Sequence, residues 1–274
     1  MFKTKILIKN KNGFTLVELM VTVLLTAIAV VSIYRGYTAF SQAADAQQQV
    51  MEMQQNLRIG MSWLIADIRR AGMNEEGDDV ASFMCDEVPT NDTSIEFSMD
   101  LLGGDIVGND DDDDTLTDEE DESRIGDGEI DDDGERIQYY LAQSSVDATT
   151  NDLIREVWTA GAYVTHTLIT NVEALDFVYF NDTEAELGPS LPTAAECPYV
   201  ALPGFAGELS LKGDELQEVD RVEITLVVRA TNEDLRYNDN VIYSNLRGTP
   251  LISNKADHFR RRVFSMSVQI RNNI

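Results

Sequence analysis

Histidine is scarce in this chain of 274 residues: only His166 and His258 occur, and neither has an acid and a nucleophile spaced around it for general-base catalysis. The G-x-S-x-G elbow, the H-E-x-x-H helix, the phosphate loop and the dinucleotide fingerprint are missing as well. Nothing in the sequence therefore argues for an enzyme. Prolines number six, with none from Phe14 to Ala71, so a helix through that stretch meets no breaker. Cysteines number two, Cys85 and Cys197. Basic residues are few, 21 against 49 acidic ones, and the net charge of −28 repels phosphate backbones. Direct nucleic-acid binding is thereby disfavoured.

What is present is concentrated at the start. The leader MFKTKILIKNKNG carries Lys3, Lys5, Lys9 and Lys11 and no acid. Positive flanks stay on the cytoplasmic side, so the apolar segment that follows should cross with its C-terminal end outside. From Phe14 to Ile33 the run is about 20 residues, which as a helix matches a hydrocarbon core of about 30 Å. Two A-x-A cleavage patterns occur here, one inside the run at Ala27 to Ala29 and one well beyond it at Ala44 to Ala46. A single acid, Glu18, interrupts the run. A carboxylate at bilayer depth costs about 2.5–3.5 kcal/mol on insertion scales, so it calls for a partner. If the chain is cut after Gly13, the new amino group of Phe14 lies in the same apolar layer as Glu18 of a neighbouring copy.

The octapeptide Gly13 to Met20, GFTLVELM, resembles the class III signal of type IV pilins and type II secretion pseudopilins. The resemblance implies processing by a prepilin peptidase after Gly13 and N-methylation of Phe14. It also implies a Glu18 carboxylate that neutralises a neighbour's N-terminus as the helix enters a fibre.

Beyond the membrane, Met53, Leu57, Met61, Leu64 and Ile68 recur at helical spacing and make one apolar face. The spacing predicts one helix from about Phe14 to Ala71, ended by Gly72, with the methionines and Trp63 as core packing. Alternating segments at Ile95–Met99, Ile137–Leu141, Val222–Val228 and Phe264–Ile270, with a mixed apolar strand at Val172–Phe180, predict a sheet. Strands gathered after one long helix indicate an α+β fold. The expected organisation is a leader at 1–13, a transmembrane and assembly half-helix at 14–40, and an exported α+β domain at 41–274. An acidic loop at 103–135 interrupts that domain. The segments NLRIGMSWLIADIRRAGMN, SIEFSMD, GERIQYYL, LITNVEALDFVYF, VEITLVVRA and RRRVFSMSVQIRN together resemble PilW-type minor pilins. That resemblance implies a pilin-like fold, a long N-terminal helix packed on an antiparallel sheet.

Between Asp105 and Glu135 lie 17 acids and one base, Arg124. Two readings stay open: a solvated loop, or a calcium site drawn from Asp127, Glu129, Asp131 and Asp133. An EF-hand is excluded, because Tyr140 stands where its bidentate glutamate belongs. On an exported domain Cys85 and Cys197 either pair as one disulfide or remain two buried thiols. The Arg260–Arg262 trio is expected to be exposed charge, with the acidic loop or another subunit as alternative partners.

The expected function is that of a minor pilin in a priming or tip complex of a type IV pilus. Its implied partners are other minor and major pilins, the prepilin peptidase and the inner-membrane assembly platform. The place implied is the bacterial inner membrane and then the pilus fibre. A J-type pseudopilin of type II secretion is the rival of the same class. A membrane-anchored calcium-binding or adhesive domain that never polymerises is the rival of another class.

Overall fold

The computed structural model of the chain describes residues 13–73, 83–84, 89–99, 133–188, 210–211 and 214–271. Two compact units are distinguished, Met1–Gln48 and Gln49–Ile274. Cys85, Cys197, Asp127, Glu129 and Asp131, together with most of the leader and of the acidic stretch, lie outside the described residues.

Helix α1 runs over Leu16–Ile68. Thr15 caps it: the Thr15 hydroxyl accepts the Glu18 backbone N–H at 3.3 Å, and the Thr15 carbonyl accepts the N–H of Leu19. Glu18 stands three residues after the cap, and only the Thr15 half of a capping box is formed. The other end closes one turn past Ile68, where Gly72 takes φ 67° and donates its N–H to Ser98 O. That left-handed conformation suits a residue without Cβ. The helical face expected from the spacing is the face that is buried, with Met53, Leu57, Met61, Leu64 and Ile68 all in the core.

The rest of the second unit is a sheet. Its strands are β1 (Phe83–Met84), β2 (Ile95–Ser98), β3 (Arg136–Gln143), β4 (Asn151–Thr159), β5 (Ala162–Phe180), β6 (Glu186–Leu187), β7 (Arg221–Arg229) and β10 (Arg261–Gln269). The order is β1-β2-β3-β4-β5-β7-β10, with β6 on β5, and every pairing is antiparallel. A single turn, α2 (Asp214–Gln217), precedes β7. One face of the sheet receives the outer part of α1. Val222, Ile224, Leu226 and Val228 of β7 enter that core with Val268 of β10, Phe97 of β2 and Tyr139 of β3. Successive residues on a strand point to opposite faces, so Val227 enters a second, smaller cluster. It packs with Tyr243 and Ile252 from the short pair β8 (Tyr243–Ser244) and β9 (Pro250–Ile252).

Strand β5 serves two ladders in succession. Ala162 to Val172 pairs with β4, and Val172 to Phe180 pairs with β7. Bulges at Leu153/Ile154 and Val172/Ala174 accompany the changeover, and Asn171 sits there at φ 58°. Asparagine tolerates this left-handed region better than most side chains do.

Candidate functional site

Apolar residues give the first unit its character. Phe14, Leu16, Val17, Leu19, Leu24 and Ile28 are all exposed. The hydroxyls in this stretch do not face outward unsatisfied. Thr22 donates to Leu19 O, Thr26 to Thr22 O and Ser32 to Ile28 O, at 2.7–2.8 Å. In an apolar medium such back-bonding removes the penalty of a bare hydroxyl. Glu18 is the only charged side chain between Phe14 and Arg35. It sits in the first turn of α1, exposed, and among the described residues no side-chain bond holds its carboxylate. A negative charge at a helix N-terminus is favourable by about 0.3–1 kcal/mol, less than the cost of placing a carboxylate in hydrocarbon.

The second unit is held by buried ion pairs that the sequence reading missed. Asp67, on the core side of α1, is fully buried. Tyr139 Oη donates to Asp67 Oδ2 at 2.6 Å, Arg155 Nε donates to the same oxygen at 2.7 Å, and Arg70 reaches Oδ1 at 3.0 Å. Burial, reinforced by the Asp67 charge and hydrogen bond, pushes the Tyr139 hydroxyl far above its usual range, so it stays a donor. Burial works against the Arg155 charge, but Asp67 more than offsets this and the guanidinium is held more firmly protonated. Arg155 also lies 5.5 Å from the Trp63 ring centroid. Trp63, expected in the core, is half-exposed and covered by this guanidinium.

Arg261 corrects a second expectation. Far from being an exposed charge, it is buried at the start of β10 and meets Glu173, Asp239 and Asp257, at 2.5–2.8 Å for the nearest contacts. Arg229 joins the cluster through Asp147 and Glu173 and stacks on Phe259. Burial opposes the charge on Arg261, and its hydrogen bonds to Asp257, Glu173 and Asp239 reverse the balance and raise its pKa. Its hydrogen bond also draws the Asp257 carboxyl below the usual carboxylate range. Arg260 pairs with Asp234 and lies over Tyr237, whereas Arg262 is exposed. The cluster fastens residues 234–257, the excursion between β7 and β10, to the sheet.

Of the four candidate calcium ligands only Asp133 is described, and its carboxylate accepts the N–H of Ala160 at the β4–β5 turn. Among the described residues no group of three or more His, Cys, Asp or Glu side chains is arranged to hold a metal. His258 Nδ1 contacts Tyr237 O, and His166 lies exposed on β5.

Residues 138–272 match the family model of the type IV pilus-assembly protein W, PilW, and residues 8–34 match the prokaryotic N-terminal methylation motif. The PilW match covers just under half of the chain, and with the methylation motif it supports a PilW-type minor pilin. The two matches bracket a PilW-type minor pilin, which works with other pilins in type IV pilus assembly. The methylation motif and the apolar first half of α1 fit a membrane-anchored, exported pilin. The PilW match spans β3 to β10 and so includes Tyr139, Arg155, Glu173 and Arg261, while Asp67 stands outside it. No curated protein matches the chain. Among solved structures, a type IV-like pilin from Thermus thermophilus is similar at 11% identity and a TM-score of 0.41, over 81% of this chain and 98% of that one.

Proposed function

We propose that this PilW-type chain is inserted in the inner membrane through Phe14–Ile33, loses its leader after Gly13 to the prepilin peptidase, and is drawn by the assembly platform into a priming complex of minor pilins on which major pilins build. Glu18 sets axial register in that complex by pairing with the N-terminal amine of a neighbouring Phe14.

The observation that carries this reading is the isolation of Glu18. Every hydroxyl named above in its helical segment is bonded to the helix, and the carboxylate alone is left without an intrachain side-chain partner among the described residues. It lies one turn from Phe14, so a neighbour shifted along the fibre axis brings an amine to it through apolar surroundings. An ion pair in such a medium favours one register more than it adds net stability.

Glu18→Ala is expected to insert in the membrane and lose its leader normally but to be absent from sheared pili. Normal incorporation of that variant would remove the proposed role. Deleting the gene is expected to abolish surface pili and leave protein secretion intact; the opposite pattern would assign the chain to type II secretion.

A further inference from the structure

We infer that the outer half of β5, together with the adjoining flank of α1, receives an extended strand from a different pilin subunit. This rests on the PilW reading and adds to it the contact surface and the chemistry of the partner.

The argument begins at the β4–β5 turn. Ala160 and Gly161 both have positive φ, 53° and 80°, which makes a two-residue hairpin closed by Thr159 and Ala162. Alternation along an antiparallel pair then fixes which backbone groups point where. Val164 and His166 face β4, opposite Val157 and Arg155. Thr165 and Thr167, opposite Glu156 and Ile154, turn their N–H and C=O groups to the other edge. Strand β7 reaches that edge only at Val172, because the chain leaves the sheet after Arg229. Among the described residues no strand pairs with Thr165 or Thr167 on that side.

The edge lacks the usual protections. It has no proline, no lysine and no inward charge, and β-branched residues dominate it. Residues 164–167 are exposed on both faces. Beside it runs α1: a Cβ on Gly60 would lie 2.2 Å from Ile169 Cδ1, and Trp63 touches Arg155, the partner of His166. Ile59 is 51% exposed, Trp63 50% and Val164 43%, so the α1 flank and the strand both present exposed apolar side chains. This flank belongs to the helix whose first half carries the exposed apolar side chains of assembly, which makes another pilin the natural occupant. Charge selects which pilin. A chain with a net charge of −28 repels its own copies, so the incoming strand comes from a less acidic subunit and presents apolar side chains beside Val164. Backbone pairing supplies cohesion and the flanking side chains supply choice, as in other strand additions.

The test uses the full chain in its own membrane, with a photo-crosslinking amino acid replacing Val164. The expected product joins position 164 to a strand peptide of another pilin. Thr165→Pro removes only the outward N–H and should lower its yield about tenfold while the thermal midpoint holds. His166→Pro, which breaks the β4 ladder, should lower the midpoint. Should Thr165→Pro fail to fold, Thr167→Lys reads the same edge. A cross-link within the chain, to a second copy or to no pilin overturns the inference, as does full yield in both edge variants. Loss of pili on deletion with intact yield in the edge variants would sink this inference alone; pili unaffected by deletion would sink the assembly reading itself.

Discussion

Tyr139 donates its phenolic hydroxyl to the fully buried carboxylate of Asp67 across 2.6 Å, joining residues 72 positions apart in the chain. Together with Arg155 it pins the outer part of α1 to β3 and β4 at one carboxylate oxygen. Asp67→Ala leaves a buried guanidinium without its counter-ion and should cost about 3–5 kcal/mol. Tyr139→Phe deletes one hydrogen bond and should cost about 1–3 kcal/mol, since the carboxylate keeps Arg155. Chemical denaturation of the full chain in detergent measures both. Equal costs would mean that the carboxylate is not the centre of the tie.

Gly60→Ala should destabilise despite the better helix propensity of alanine. The new methyl would sit 2.2 Å from both Ile169 Cδ1 and Cγ1, closer than any relaxed contact. The expected loss is about 1–3 kcal/mol from overpacking. Adding Ile169→Ala should recover part of it, so the double-mutant cycle has a favourable coupling term. Additive losses would show that the two residues do not meet.

Arg261→Met should cost about 3–5 kcal/mol, because Asp239 would be left buried without its cation and Glu173 would keep only the longer contacts to Arg229 and Lys255. Arg262→Ala, one residue away on the exposed face, should stay within about 0.5 kcal/mol. Thermal midpoints of the two variants separate these outcomes directly.

Acid should act on Asp176 and Asp257 with opposite sign. Burial raises the Asp176 carboxyl above its usual value, with the Asn245 amide only partly countering it. Its charge therefore opposes folding at neutral pH, and the penalty fades as pH falls through that raised value towards the unfolded one. Asp176→Asn should raise the midpoint at pH 7 and lose its advantage below about pH 4, where the carboxyl is protonated in both states. Asp257, drawn down by Arg261, contributes stability that is complete above the ordinary carboxylate value and is lost as pH falls through its lowered one. Asp257→Asn should therefore be harmful at pH 7 and increasingly neutral in acid. Midpoints recorded from pH 3 to pH 7 check both slopes.

The long helix, its buried face and four strand segments were legible because each follows one period, 3.6 or 2, and the fifth, Val172–Phe180, was legible as an apolar run. Strand β4 was not legible. Its run Asp152, Leu153, Ile154 is buried on consecutive residues, and Arg155 enters the core side only because Asp67 waits there. Asp67 was not legible either, because an acid on a long helix is most often a solvated position. Its place three residues after Leu64 put it on the apolar face, which was the available signal. Arg261 was hidden by its neighbours: three consecutive arginines read as a charged patch, and only the pleat of β10 sends the middle one inward. The methylation motif around Gly13, Phe14 and Glu18 was legible for the opposite reason, since its spacing depends on no tertiary contact, and the roles of those three residues remain proposals.

The core of the second unit joins Met53 of α1 to Val268 of β10, nearly the first and last of its described residues. Synthesis and export proceed from the N-terminus, so α1 arrives early with its apolar face bare. The sheet face that covers it is complete only when the final strand has emerged and Ile270 N–H has reached Asp220 O. Closure over such sequence separations is slow compared with helix formation. A half-exported chain is therefore adhesive on the very face that later becomes interior, and misassembly would be decided in that interval. Truncation within β10 should yield a chain that is inserted yet rapidly degraded, because the last strand acts as the latch on the first helix.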